Sequence, residues 1–367
     1  MAAAVSTTTT SSSTDSKPQR DAAATLLTPA ATPSVTISAT SSGASTPNSK
    51  PACSTCPTHL LKSLKRDGYV HIPSLVDPVE LSSLRAASIH ATELARAGKW
   101  PHIRNVPKQF PPWAATPPPD SEGGIWGVQH LLHPDMPDRK RFAKLYFSNK
   151  VTGVVKELLG LNLYDPRSDD NVVMELFNLL VSPSGGKDFE LRWHRDDIKW
   201  EVDAEEEKRQ LDEKSPGGRQ AHTQYNISLF DEESLIVIPG SHRRVRTDVE
   251  READPLEPNM PDQLVVKMKA GDAVFYDSNI LHRGTYKGIH TDKGEVGRMT
   301  LHGSVSLYGH SEERAKNVLQ HGVGEWVSRR DASFDDLVGK CKDRAEGMRL
   351  RLIEMGKGDE LGYSLDG

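Results

Sequence analysis

The sequence predicts a mainly β protein with flanking helices, folded as a double-stranded β-helix of the jelly-roll, cupin-like kind. Three observations predict it. From Asn171 onward, short β-branched runs alternate with Gly, Pro and Asp turn clusters, at Val172–Val181, Tyr225–Phe230, Leu235–Ile238, Leu264–Met268, Ala273–Tyr276 and Met299–Leu307. Many short strands of this kind close into a sandwich or barrel. Helical periods flank this region on both sides. Histidines and a carboxylate stand at strand ends, where a barrel mouth gathers them.

The elements follow in order. Leu60, Leu61 and Leu64 recur at helical spacing and stop at Asp67-Gly68, a turn signal. Tyr69 to Ile72 reads as a strand ended by Pro73. Asp77 is a helix N-cap with Pro78 at the first helical position, and that helix runs toward Ala97-Gly98. Residues 101–124, rich in Pro and Gly, read as an irregular segment that wraps the core or covers a site. A helix pair is expected at Phe142–Phe147 and Val151–Leu159, with Gly160 as the stop. The charged insert Glu201–Gln220 reads as a solvated helix or lid. Ala332–Met355 carries an amphipathic period and reads as a C-terminal helix packed on the barrel.

Composition excludes several classes. The net charge is −5, with no basic stripe, which argues against nucleic-acid binding. No apolar run reaches the roughly 20 residues that span a bilayer. Residues 1–58 are dominated by Ser, Thr and Ala and read as a disordered low-complexity segment; residues 59–367 form the folded domain. Three cysteines favour a reducing compartment over a disulfide framework. Cytoplasmic location is expected, with peroxisome or mitochondrion as alternatives, since Lys17 and Arg20 are thin support for a transit peptide. Cys53-x-x-Cys56 stands alone, without a second pair to complete a zinc site.

The chemistry lies in Trp193-His194-Arg195-Asp196. On an extended segment an H-x-D tripeptide puts His194 and Asp196 on one face. One imidazole and one carboxylate are two parts of a facial triad, which leaves adjacent iron positions open. His282, after the strand Ala273–Tyr276, is the candidate third ligand. Arg298, with Thr300 two residues on and on the same face, offers a guanidinium fork and a hydroxyl to the distal carboxylate of 2-oxoglutarate. His242, His290 and His302 are expected to be turn, loop or strand residues rather than ligands. Trp113, Trp126 and Trp200 are candidates for the substrate wall or for core packing.

The segments LKRDGYVHIPSLVDPVELSSL, WHRDD, SLIVIPGSH, KAGDAVFYDSNILHRGTY and GRMTLHGSVSLYG together resemble the phytanoyl-CoA dioxygenase family. The resemblance implies an Fe(II)/2-oxoglutarate dioxygenase domain over residues 59–367. It implies the ligands His194, Asp196 and His282 for Fe(2+), Arg298 as the 2-oxoglutarate anchor, and O2 as co-substrate. Further co-substrate contacts map to about Asn178 and to Tyr225. Three departures stand out. Arg195 replaces the usual Gln inside H-x-D, which places a second basic group near the keto acid. Gly127 stands where some members carry Lys. The loop KGIHTDKGEVG is longer than usual. The expected substrate is a small molecule or acyl chain, and the retained Asp196 predicts hydroxylation. The competing readings are a cupin-like metal enzyme that needs no keto acid, and a non-catalytic β-sandwich binding module. The first has no use for Arg298 and Thr300; the second binds no metal.

Overall fold

The structure, a computed structural model, describes residues 59–214, 220–310 and 312–357. The low-complexity leader and the Cys53/Cys56 pair lie outside the described residues. In chain order come α1 (His59–Asp67), β1 (Tyr69–Ile72), α2 (Pro78–Arg96), β2 (Ile103–Asn105) and β3 (Ile125–Val128). Then follow α3 (Arg139–Tyr146), α4 (Asn149–Leu158), β4 (Val172–Val181), β5 (Phe189–Glu190), α5 (Ala204–Lys214), β6 (His222–Ser228) and β7 (Leu235–Val237). The rest are α6 (Asp248–Glu252), β8 (Leu264–Val265), β9 (Ala273–Tyr276), β10 (His282–Tyr286), β11 (Met299–Leu307), α7 (Glu312–Gln320) and α8 (Gly339–Met355).

The strands form an antiparallel jelly roll of two sheets. One has seven strands in the order β1-β9-β6-β11-β4-β3-β2; the other has four, β5-β10-β7-β8. Successive strands switch sheets, as in β6 to β7 and in β9 to β10 to β11. The large sheet is covered by helices on one face and faces the small sheet on the other. That explains why β4 reads as an almost unbroken apolar run: Phe177 and Leu179 join the helix-side core, while Asn178 and Leu180 point into the barrel. Fully buried Phe142 and Phe147 anchor the helices to this sheet, each burial stabilising by about 1.5–3 kcal/mol.

Local signals act as the sequence predicts at several points. The Asp77 carboxylate accepts from Val79 N and Glu80 N, with Pro78 opening α2. Three expectations are corrected. The segment 101–124 contains a strand, β2, paired to β3. The C-terminal helix starts at Gly339 rather than Ala332, because Phe334 is held in the preceding loop against Phe147 and under the Arg139 guanidinium. The insert Glu201–Gln220 does contain a helix, α5, but not a merely solvated one: Glu207 is fully buried and tied to Arg195, Arg246 and Arg251.

Candidate metal centre

His194 lies opposite His282, the first residue of β10, in an isolated antiparallel bridge. Each donates its backbone N–H to the other's carbonyl, at 3.0 and 3.1 Å. Residues paired this way project from one face, and the two imidazole centroids stand 4.3 Å apart. Asp196, two residues on, shares that face and is pinned by its N–H to the Ser278 carbonyl at 2.9 Å. His194 Nε2 is 3.5 Å from one carboxylate oxygen and His282 Nε2 is 3.7 Å from the other. One donor atom from each residue lies within 4.8 Å of the others, and no other such trio occurs among the described residues.

The neighbouring groups orient these donors. His194 Nδ1 lies 2.7 Å from the Arg192 carbonyl, and His282 Nδ1 lies 2.9 Å from the Ile280 carbonyl. A carbonyl only accepts, so Nδ1 carries a proton in each ring and Nε2 is the nitrogen turned toward Asp196. Gln224 Nε2 donates to the Asp196 carboxylate. Burial works against the charge on Asp196, but His282, His194 and Gln224 outweigh it and hold the carboxyl far below its usual range. Burial, with His194 beside it, lowers His282 to about 4, so this imidazole is neutral at physiological pH, as a ligand must be.

The structure brings some of the predicted residues to this pocket and sends others elsewhere. Arg298, just before β11, lines it; its Nε lies 2.8 Å from Glu232 and its guanidinium 4.4 Å above the Tyr286 ring. Arg298 Nη1 and Thr300 Oγ1 are both buried with no hydrogen-bond partner among the described residues. Thr300 pairs with Leu180, a pocket residue. Asn178 stands opposite His302 on the inner face; its Oδ1 accepts from His130 N at 3.0 Å, and its Nδ2 is unpartnered.

Tyr225 and Arg195 point away. Tyr225 packs with Tyr146, Phe177 and Phe275 on the helix side of the sheet. Its strand neighbours Gln224 and Asn226 take the inward positions. Arg195, between two inward residues, must face out. It is buried against Glu207 at 2.9 Å and donates to the carbonyls of Ser241, Asn279 and Arg244. Of the tryptophans, Trp126 lines the pocket with Trp113 packed on it, whereas Trp200 lies under Arg246 in a separate cluster.

Sequence reasoning missed Arg104, Gln224, Asn226, Tyr276, Tyr286 and His302, all of which line the pocket. His302 was legible, because it is four residues from Arg298 on one strand and so faces the same way. It is held by Asn226 at 2.9 Å, and burial lowers it to about 3. The cavity at the candidate metal centre measures ≈ 80 Å³. A wider groove of ≈ 620 Å³, lined by Gln109, Phe110, Glu190 and Arg192 among others, lies nearby; Phe110 meets the His194 ring edge-on at 6.2 Å.

A family profile described as phytanoyl-CoA dioxygenase (PhyH) matches residues 64–287. No curated relative matches the sequence. Among solved structures, iron-bound EctD from S. alaskensis is 20% identical, covering 68% of this chain and 76% of that one, with a TM-score of 0.45. The epimerase SnoN from nogalamycin biosynthesis, solved with Fe3+, alpha ketoglutarate and nogalamycin RO, is 15% identical over 67% of this chain and 82% of that one, with a TM-score of 0.41. The carbocyclase SnoK from the same biosynthesis is 18% identical over 70% and 87%, with a TM-score of 0.42. No helix among the described residues is long and apolar enough to cross a membrane.

Proposed function

The chain belongs to the phytanoyl-CoA dioxygenase family, and from that premise we propose that it is an iron(II)- and 2-oxoglutarate-dependent dioxygenase that hydroxylates an aliphatic C–H of a small molecule or acyl chain. One observation carries the reading: two imidazoles and one carboxylate converge within 4.8 Å, beside buried donors that lack an acceptor.

The donor set fits the group. Two histidine nitrogens and a carboxylate oxygen suit ferrous iron and leave neighbouring positions free for a chelating keto acid and O2. Arg298 Nη1 and Thr300 Oγ1 are orphaned buried donors of the kind that a distal carboxylate satisfies. Iron with 2-oxoglutarate and O2 supplies the oxidising power for C–H cleavage, with succinate and CO2 as by-products. The chain's own work is placement. His194, Asp196 and His282 hold the metal, and Gln224 fixes the carboxylate rotamer. Arg298 and Thr300 orient the keto acid. Leu180, Leu191, Leu235 and Trp126 line the cavity with apolar surface that limits water. Asp196 occupies the ligand position that a halogenating site needs vacant, which supports hydroxylation.

Succinate formation from 2-oxoglutarate, measured with added Fe(II) under air, tests the reading. The wild-type chain is expected to make succinate, and His194→Ala and Asp196→Ala are expected not to. Full turnover in either variant would sink the assignment.

A further inference from the structure

Arg104 is a guanidinium that nothing in the fold neutralises. It belongs to β2 and lines the pocket, yet it makes no ion pair or hydrogen bond among the described residues, and its Nε is buried without a partner. Two ring faces lie against its guanidinium, Trp126 at 5.0 Å and Trp113 at 5.3 Å. Other cations near the pocket have partners, as Arg298 has Glu232. Burial lowers the Arg104 pKa, and the raising effects of Tyr286, Asp196 and Tyr276 do not offset it. A half-buried cation in this state, its Nε shut away from water and unpaired, is better satisfied when an anion enters the pocket.

The backbone shows how it reaches the pocket. Arg104 pairs with Gly127, Gly127 with Leu180, and Leu180 with Thr300, so one cross-strand row runs from the sheet edge to the unpartnered Thr300 hydroxyl. A Cβ on Gly127 would lie 3.0 Å from Arg104 Cδ and 3.3 Å from its Cγ. The bare glycine is therefore the gap across which the arginine stem lies. The register shift at Arg104/Asn105 adds Trp126 on β3 beside Gly127, and its ring supports the guanidinium.

Charge counting agrees. A bound 2-oxo diacid, Asp196 and Glu232 bring four negative charges; a divalent cation and Arg298 bring three positive ones, and Arg104 supplies the fourth.

We propose that Arg104 is a second carboxylate-binding residue of the pocket, admitted by Gly127. This rests on the oxygenase reading above. The carboxylate belongs either to the 2-oxo acid or to the molecule that is oxidised, and two titrations separate these sources. In the first, 2-oxoglutarate is titrated calorimetrically into Mn(II)-loaded full-length wild type, Arg104→Gln and Arg104→Lys. If the 2-oxo acid is the ligand, Arg104→Gln binds it about tenfold to a hundredfold more weakly. Arg104→Lys recovers part of the loss, and Mn(II) affinity is unchanged. In the second, octanoate and octanamide are titrated into protein saturated with Mn(II) and 2-oxoglutarate. If the oxidised molecule supplies the carboxylate, wild type prefers octanoate, Arg104→Gln loses that preference, and 2-oxoglutarate binding stays unchanged. Gly127→Val keeps the guanidinium but displaces its stem, and is expected to match Arg104→Gln; it carries the test if Arg104→Gln does not fold. Superimposable curves for wild type and variants in both titrations would overturn the proposal and reduce Arg104 to a packing residue. Failure of wild type itself to bind Mn(II) and 2-oxoglutarate would instead count against the oxygenase reading.

Discussion

Residues 194–196 divide two environments that differ in one respect. On the inward side stand His194 and Asp196, facing Arg104, Arg298 and Thr300, three residues with buried polar atoms left unpartnered. On the outward side Arg195 meets Glu207, which also holds Arg246 and Arg251 at 3.3 and 2.7 Å. Both sides are charged and largely enclosed. The outward network pairs each arginine with Glu207 and locks α5 to the barrel, although Arg246 Nη1 is buried without a partner, whereas Arg104 and Thr300 on the inward side have no ion pair or hydrogen bond among the described residues at the atoms left bare. An unmet buried donor costs about 1–3 kcal/mol until something meets it, which makes the inward groups candidates for ligand contact.

Five substitutions break or sharpen this contrast. Asp196→Ala, on the inward side, is expected to remove metal-dependent succinate formation altogether, with a Tm close to wild type by thermal melt. Glu207→Ala, on the outward side, is expected to do the reverse. It strands three cations and costs about 3–5 kcal/mol of stability, read by urea unfolding, while Mn(II) affinity in the folded fraction is kept. Burial opposes the Glu207 charge, but Arg195 and Arg246 outweigh it and depress its pKa. Its stabilising contribution is therefore full above the ordinary carboxylate range and is lost as pH falls through the depressed value. Acid unfolding of Glu207→Gln should accordingly show a flatter pH dependence than wild type. Arg298→Gln is expected to weaken 2-oxoglutarate binding by about 2 kcal/mol and metal binding much less, as calorimetry would show. Gln224→Ala is the smallest change: loss of one bond to the Asp196 carboxylate should reduce metal affinity about tenfold, read by competition with a chelator.

The sequence makes the metal face legible because its rule is simple. Period-two alternation puts His194 and Asp196 together, and the same rule places Arg195 on the opposite side, against the expectation of a second base by the keto acid. It also aligns Arg298, Thr300 and His302. Alternation fails on β6, where every residue is buried, so nothing in the composition separates Tyr225 from the inward Gln224 and Asn226. Proximity to a known motif therefore selected the wrong member of that strand. Arg104 was hidden for another reason: it lies on a three-residue strand inside a Pro-rich stretch, and its role depends on a missing side chain one strand away. The helix caps and turn glycines are local in sequence and are read directly, whereas the Glu207 cluster joins residues from three separate segments.

Both imidazoles of the candidate metal centre lean on a carbonyl two residues upstream in their own segment, Arg192 for His194 and Ile280 for His282. Each ring thus brings its alignment with it, as a tool brings its handle. Loops, lids and even the far wall can be exchanged without retuning the pair, provided the two short stretches still meet. Rings aligned by their own segments would keep their pairing while the surrounding scaffold changes.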